Sequence, residues 1–408
     1  MSNKRPLDGI RICDFSWVGA GPYTTRLLSE FGAEVIRLES RTRPDILRFA
    51  EPYKDGIAGS ERSGYFSNRN PNKKSIEVDM KHPKARDLAV KLIKVSDIVI
   101  NNFTFGTMEK WNLGYEDVKK IKSDIIYVTM PTMGSTGPHK HYMGLGVTMN
   151  SLVGINYITG FSDGEPLGTG TNYPDHVPNP VHTAFAIMAA LWHRKRTGEG
   201  QLVDVAQTEA AMCVFPIAVM NYAVNSIIQK RQGNRDVNGN VAPHGVYATI
   251  GSRRWIAIAV FSNSEWEGLK KEMGNPEWAE NEVFSTVSGR LANQDTLDEK
   301  IEAWTKQHEP YGLMERLLNA GVRAGVVQNS KDMLQDPHLN ERDFWIYLNH
   351  KQMRRHVYNN NPARLSKTPA QVLTAAPMLG EHTDEVLVGI LGLSQEEILK
   401  LRETKVIG

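Results

Sequence analysis

An α/β fold on a mainly parallel sheet is the class that this sequence predicts, and three observations predict it. Short β-branched runs recur between residues 8 and 130. Helical patterns lie between several of them, so strand and helix alternate as in βαβ units. The chain has 408 residues, 40% of them hydrophobic and 23% charged, with 34 Gly and 20 Pro dispersed along it, which is enough for more than one core. That composition excludes disordered, collagenous and fibrous chains.

The strands expected in order are 10–15 (IRICDF), 34–38 (EVIRL), 75–79 (SIEVD), 97–101 (DIVIN) and 125–129 (IIYVT), each short enough to be buried in a sheet. A helix over 23–31 follows Pro22, a residue suited to a first turn, and another over 83–95 has apolar residues at three and four spacing. Residues 132–175 are rich in Gly, Pro, Thr and Asn, with a turn cluster at 134–138 (GSTGP), and read as a long loop of the kind that is functional or disordered. A helix over 179–196 ends in Arg194, Lys195 and Arg196 before Gly198. The next, over 207–225, is apolar nearly all round and is expected to be buried.

Polar residues 224–240 resemble a linker. Beyond them 246–250 and 255–260 flank a Gly-Ser-Arg turn, a hairpin signal, and helical patterns follow at 263–273, 296–305 and 311–320. Residues 226–330 are therefore expected to form a smaller α+β domain, distinct from a large domain over 1–225. In the tail, short helices are expected at 384–391 and 395–404, the second capped by Ser394.

Charge excludes some partners. With 48 Lys plus Arg against 46 Asp plus Glu the net charge is +2, so no global field draws the chain to nucleic acid or an anionic membrane. Residues 1–9 have no apolar run after them, and no stretch approaches the roughly 20 apolar residues of a membrane span, so a cytoplasmic protein is expected. Cys13 and Cys213 sit in apolar patterns and are expected to be buried thiols.

The first strand runs into Gly19-Ala20-Gly21-Pro22-Tyr23-Thr24, close to a dinucleotide fingerprint. The third glycine is replaced by Thr24, and Pro22 removes an N–H where a pyrophosphate would need one. The two glycines fit a tight turn as well as a ligand contact. His139, His141, His176, His182 and His193 lack cysteine or carboxylate partners at ligand spacing, so no metal is expected. Serine-hydrolase elbows and P-loops are missing too. Asp175 stands in Tyr173-Pro174-Asp175-His176-Val177-Pro178, a stretch too rich in proline for a helix interior, ahead of a long helix that would keep it ionised. Position alone favours an acidic residue that merely helps to start the helix.

A series of motifs in order adds what position cannot. Residues 6–15 (PLDGIRICDF), 20–22 (AGP), 31–39 (FGAEVIRLE), 72–76 (NKKSI), 102–103 (NF), 134–138 (GSTGP), Asp175 through 189–191 (AAL), Arg194, 197–201 (TGEGQ), 203–205 (VDV), 209–210 (EA) and 376–383 (APMLGEHT) together resemble the family III CoA-transferases, the group of formyl-CoA, carnitine and benzylsuccinate CoA-transferases. The resemblance implies a Rossmann-like large domain completed by residues 331–408, a smaller second domain, and two chains interlocked as linked rings. Asp175 matches the catalytic aspartate, whose carboxylate would take the acyl group as a mixed anhydride and then hold CoA as a thioester.

Coenzyme A, entering as an acyl-CoA substrate, is the implied ligand, with no metal. Its contacts carry over to Val18 and Ala20 near the pantetheine and adenine, Asn102 and Phe103 at the adenine side, Lys81 near the ribose and phosphates, and Lys110 and Lys140 at phosphates. Two departures stand out: Trp17 and Gly19 replace the His and Gln of some members. Residues 242–247 (APHGVY) lack the glycine run of the formyl transferase and are more like the carnitine type. Rival readings are an acyl-CoA racemase or epimerase of the same fold, which would need a Gly-His-Asp base where this chain has Gly144-Leu145-Gly146, and a non-catalytic partner subunit, which Asp175 argues against. A nicotinamide oxidoreductase is weakened by Thr24. The partners expected are an acyl-CoA donor, a carboxylic acid and a second subunit, identical or related. Aromatic and Met residues in 142–171 point to a sizeable apolar acceptor, an aryl dicarboxylate such as benzylsuccinate with succinyl-CoA as donor; oxalate, carnitine and C4 to C5 dicarboxylates stay open.

Overall fold

The structure, a computed structural model, describes residues 4–236 and 238–408. Residues 1–3 of the expected leaderless start and Val237 of the expected linker lie outside the described residues. Six strands, β1 (Arg11–Asp14), β2 (Glu34–Glu39), β3 (Lys73–Glu77), β4 (Ile98–Asn101), β5 (Ile126–Thr129) and β6 (Gln201–Asp204), form one parallel sheet in the order β3-β2-β1-β4-β5-β6. The first five are the strands expected from the β-branched runs. The sixth, QLVD, is an edge strand whose residues are only half-buried or exposed, so it carries no continuous apolar run to announce it.

Alternate residues of each strand face opposite layers. Cys13, Ile36, Ile76, Val99 and Tyr127 pack with Leu88 and Leu92 of the helix Ala85–Lys94 and with Val386, Leu387, Ile398, Val406 and Ile407 of the tail. Ile12, Val35, Ile98, Ile100 and Val128 face the other way, onto Leu28 of the helix Ala20–Glu30 and onto Ile187 and Ala190 of the helix Pro178–Thr197. The tail also bonds to the sheet: the His382 N–H donates to Ser75 O at 2.9 Å, the Glu77 N–H to Thr383 Oγ1 at 3.0 Å and the Asp79 N–H to Val406 O at 2.9 Å. Ser394 caps the last helix, Gln395–Glu403, by accepting from the Glu397 N–H.

Two compact units are present: the residues up to Ile155 with Thr169–Ile227 and Pro337–Gly408, and Asn156–Gly168 with Ile228–Asp336. Beyond the parallel sheet, the second unit holds β7 (His244–Ala248), β8 (Trp255–Ala259) and β9 (Arg323–Val326) as an antiparallel sheet over a core of Trp266, Leu269, Leu297, Ile301, Leu313 and Leu317. A hairpin of β10 (Trp345–His350) and β11 (Arg354–Asn359) belongs to the first unit.

Three expectations are corrected. The helix over 207–225 is two helices, Gln207–Met212 and Pro216–Asn225, because Pro216 supplies no N–H and pushes Phe215 out of the helical region, to φ −128° and ψ 36°. No residue of the second is buried within the single chain, and Ile217, Val219, Met220, Tyr222 and Val224 are exposed, so its apolar surface lacks a cover there. Cys213, just after the first of these helices, is exposed and only Cys13 is buried. The stretch 132–175 is not all loop, since it forms helices at Gly146–Leu152, Ile155–Ile158 and Tyr173–His176. Among the described residues no helix is long and apolar enough to cross a membrane.

Candidate active site at the switch point of the sheet

From β1 the chain builds outward through β2 and β3, then crosses back to β4 on the other side of β1. Ligands of open parallel sheets gather beyond the carboxyl ends of the strands at such a reversal. The segment leaving β1 is fixed there by buried polar groups. Asp14 accepts from the Ser16 N–H at 2.8 Å and from Thr25 Oγ1 at 2.7 Å. Asn102, just past β4, accepts from the Trp17 N–H at 2.8 Å and donates to Trp17 O at 2.7 Å. Val18 has φ +62°, a left-handed conformation that costs a β-branched residue energy. Both oxygens of Asp45 hold its N–H, at 3.2 and 3.1 Å, while Asp45 is itself ion-paired with buried Arg37.

Beyond β1 to β4 lies a cavity of about 200 Å³ lined by Trp17, Arg43, Lys81, Phe103 and Trp111 among others. Phe103 stands edge-on between two indoles, 5.6 Å from Trp17 and 5.7 Å from Trp111, and the Arg43 guanidinium lies 5.5 Å from the Trp17 ring. Arg43 and Lys81 are both exposed, so this is an aromatic slot with a cationic rim. It can take a flat heteroaromatic ring inside and phosphates at its mouth.

Asp175 lies on the short helix Tyr173–His176, directly ahead of the helix Pro178–Thr197, and is 5% exposed. Glycines admit its carboxyl group. A Cβ at Gly19 would sit 2.7 Å from Asp175 Cβ and 3.0 Å from Cγ; one at Gly146 would sit 2.6 Å from Asp175 Oδ2. The departure from glutamine at position 19 thus has a steric reason: no side chain fits. Burial raises the Asp175 carboxyl to about 6, against the Gly146 N–H and the Arg69 charge, which both pull it down. Burial therefore outweighs proximity to the helix start, and the group is still mainly ionised at pH 7.

At His176, the next residue, Arg69 Nη2 donates to Nδ1 at 2.7 Å, and Nε2 lies 3.2 Å from the Tyr65 hydroxyl. An arginine can only donate, so Nδ1 accepts and the proton of the neutral imidazole sits on Nε2. Burial first, and then Arg69, hold His176 down to about 4, so it stays neutral across the physiological range.

The structure brings Lys81 and Phe103 together in the slot, with Asn102 bracing its wall, while Val18 and Ala20 flank Gly19 against Asp175. Ala20 is buried and offers only its main chain. Lys110 is exposed at the end of the helix Thr107–Lys110 and does not line the slot, and Lys140 stacks at 4.7 Å on Phe105. Sequence reasoning missed Arg43, Tyr65, Arg69 and His176. Only His176, next to Asp175, carried any signal, since the rest arrive from elsewhere in the chain.

Among known proteins, the model of CoA-transferase family III matches residues 7–383. The chain is 32% identical over 403 residues to the succinyl-CoA–D-citramalate CoA-transferase of Chloroflexus aurantiacus, covering 99% of this chain and 98% of that one. It is also 32% identical over 387 residues to the succinyl-CoA:mesaconate CoA-transferase of Haloarcula hispanica, at 93% and 95% coverage. A crystal structure of a CaiB/BaiF family protein from Brucella suis matches with a TM-score of 0.86 at 30% identity, over 95% of this chain and 99% of that one. A match that begins ahead of β1 and ends where the tail starts to close the sheet takes in the whole crevice, and on that ground the chain belongs to CoA-transferase family III and is a CoA-transferase.

Proposed function

We propose that this enzyme moves CoA from succinyl-CoA to a C4 to C5 dicarboxylic acid, with Asp175 as the covalent carrier. The observation that carries the mechanism is a buried carboxylate clasped between two glycines, raised to about 6 and so both ionised and basic at pH 7. Asp175 attacks the thioester carbonyl, forming a mixed anhydride and releasing CoA thiolate. The thiolate attacks the aspartyl carbonyl, giving an aspartyl-CoA thioester and free succinate. The acceptor carboxylate then attacks that thioester, again releasing thiolate, which takes the acceptor's acyl group from the second anhydride and frees Asp175. Activation is conserved throughout, so the cycle needs no nucleotide. Water must be kept out, because it would hydrolyse either intermediate.

The aromatic slot with Phe103 and Trp17 is suited to the adenine of CoA, and Arg43 and Lys81 to its phosphates. Donor and acceptor class rest on the relatives, which are named for succinyl-CoA and for acceptors with two carboxyl groups. Benzylsuccinate has less support: Tyr142, Met143 and Leu145, from the stretch that suggested it, are exposed, and 156–168 belong to the second unit. The uncovered helix Pro216–Asn225, with Phe185 and Trp192 also exposed, supports a homodimer in which a second copy buries these side chains. Intact-protein mass spectrometry after incubation with succinyl-CoA tests the mechanism. The wild type is expected to gain CoA minus water, lost with hydroxylamine, and Asp175→Asn to gain nothing; an adduct or residual turnover in the variant would overturn it.

A further inference from the structure

Arg69 is half-buried beside Asp175 and has no carboxylate of its own. The fully buried arginines of its unit are each paired: Arg26 with Glu30 at 2.8 Å, Arg37 with Asp45 and Glu39, Arg48 with Glu39 and Glu61 at 2.7 Å. Arg69 instead donates to neutral acceptors, His176 Nδ1 at 2.7 Å and Asn68 Oδ1 at 3.0 Å, and lies 4.4 Å from the Tyr23 ring and 5.5 Å from the Tyr65 ring. Its Nε is buried without an acceptor. The ionisable groups that face it are Tyr65, Tyr23 and Arg26, with Asp175 near enough to feel its charge but not to pair with it. A cation withdrawn from water without a counter-ion is costly, and protein interiors retain one where an anion arrives.

We propose that Arg69 binds the distal carboxylate of the substrate acid, so that the acyl pocket beside Asp175 selects dicarboxylic over monocarboxylic acyl groups. This rests on the reading of Asp175 as the acyl acceptor. The two carboxyl carbons of a succinyl group lie roughly 4 Å apart with ordinary carbon–carbon bonds, so an acid with one end at Asp175 keeps the other within the surroundings in which the Arg69 charge is felt. A bidentate fork there fixes the chain's direction. His176 and Tyr65 orient the fork; they are positioning residues.

The test compares the wild type, Arg69→Gln and Arg69→Lys with succinyl-CoA and with butyryl-CoA, which carries a methyl group in place of the distal carboxylate. The readout is the rate of the Asp175–CoA adduct. Arg69→Gln is expected to slow adduct formation from succinyl-CoA by about 30- to 100-fold and from butyryl-CoA by less than about 5-fold, with Arg69→Lys between, since lysine keeps charge without the fork. Equal losses with both donors would assign Arg69 a role in folding or in the chemistry alone, and no loss would assign it none; either overturns the proposal. Calorimetric binding of succinate and butyrate separates this from failure of the Asp175 mechanism. If the wild type forms no adduct with either donor, a preference for succinate that Arg69→Gln abolishes still sustains the carboxylate site, whereas equal affinity for the two acids refutes it.

Discussion

Replacing Asp175 with asparagine is expected to abolish transfer and, at neutral pH, to make the protein more stable. Burial is the main force on this carboxyl group and lifts it to about 6. Compared with about 3.9 for an unfolded aspartate, at ~1.4 kcal/mol per pKa unit, the ionised group costs the native state ~3 kcal/mol that a neutral amide of the same shape does not. Below about pH 3.9 the carboxyl group is neutral in both states, and the advantage of the variant vanishes. Between there and pH 6 the unfolded chain ionises first and the wild type loses ground, and above 6 the full difference holds. An unfolding entropy of about 2 cal/mol/K per residue converts the difference into a Tm gain of ~4 °C for a chain of this size. Differential scanning calorimetry of both proteins from pH 4 to 8 measures it. A variant no more stable than the wild type at pH 8, or a gain that does not shrink toward pH 4, would refute the idea that burial strains this carboxylate.

The first half-reaction, followed at saturating donor, is expected to fall about tenfold between pH 7 and pH 5 as Asp175 protonates, with an apparent midpoint near 6; a flat profile would point to another nucleophile. Gly19→Ala places a Cβ 2.7 Å from that of Asp175, so loss of at least 100-fold in turnover is expected with the far-ultraviolet circular dichroism unchanged, and ordinary activity would show that the clasp is loose. Arg43→Ala and Lys81→Ala, on the exposed rim of the slot, are expected to weaken CoA binding several-fold at low salt and much less at high salt, because exposed charges are screened. Calorimetric titration at two ionic strengths decides it, and Lys110→Ala, outside the slot, serves as the comparison.

Much of the scaffold could be read in advance because its signals are local. The runs IRICDF and DIVIN are β1 and β4, and their ends place Trp17 and Asn102 at the reversal of strand order. Ser394 capped the helix it was expected to cap. The helix over 207–225 failed because its pattern is equally apolar on either side of Pro216, and periodicity cannot tell a buried face from an exposed one. Asp175 was singled out by motif, but its burial depends on Gly19 and Gly146, and Arg69 reaches His176 across 107 positions. No spacing rule encodes such a meeting. The exposure of Tyr142, Met143 and Leu145 was not legible for the related reason that exposure is not written in composition.

The tail that bonds β3 has a consequence for synthesis. Residues 73–77 leave the ribosome about 310 residues ahead of Val386, the first of Val386, Leu387, Ile398, Val406 and Ile407, which pack in the same core. At about 5–20 residues per second, the growing chain carries part of one apolar layer open for roughly 15 to 60 seconds before residues 386–407 can close it. A chain cut short before residue 386 would therefore be no smaller working enzyme but a sheet with part of its apolar layer uncovered, a ready client for chaperones and proteases.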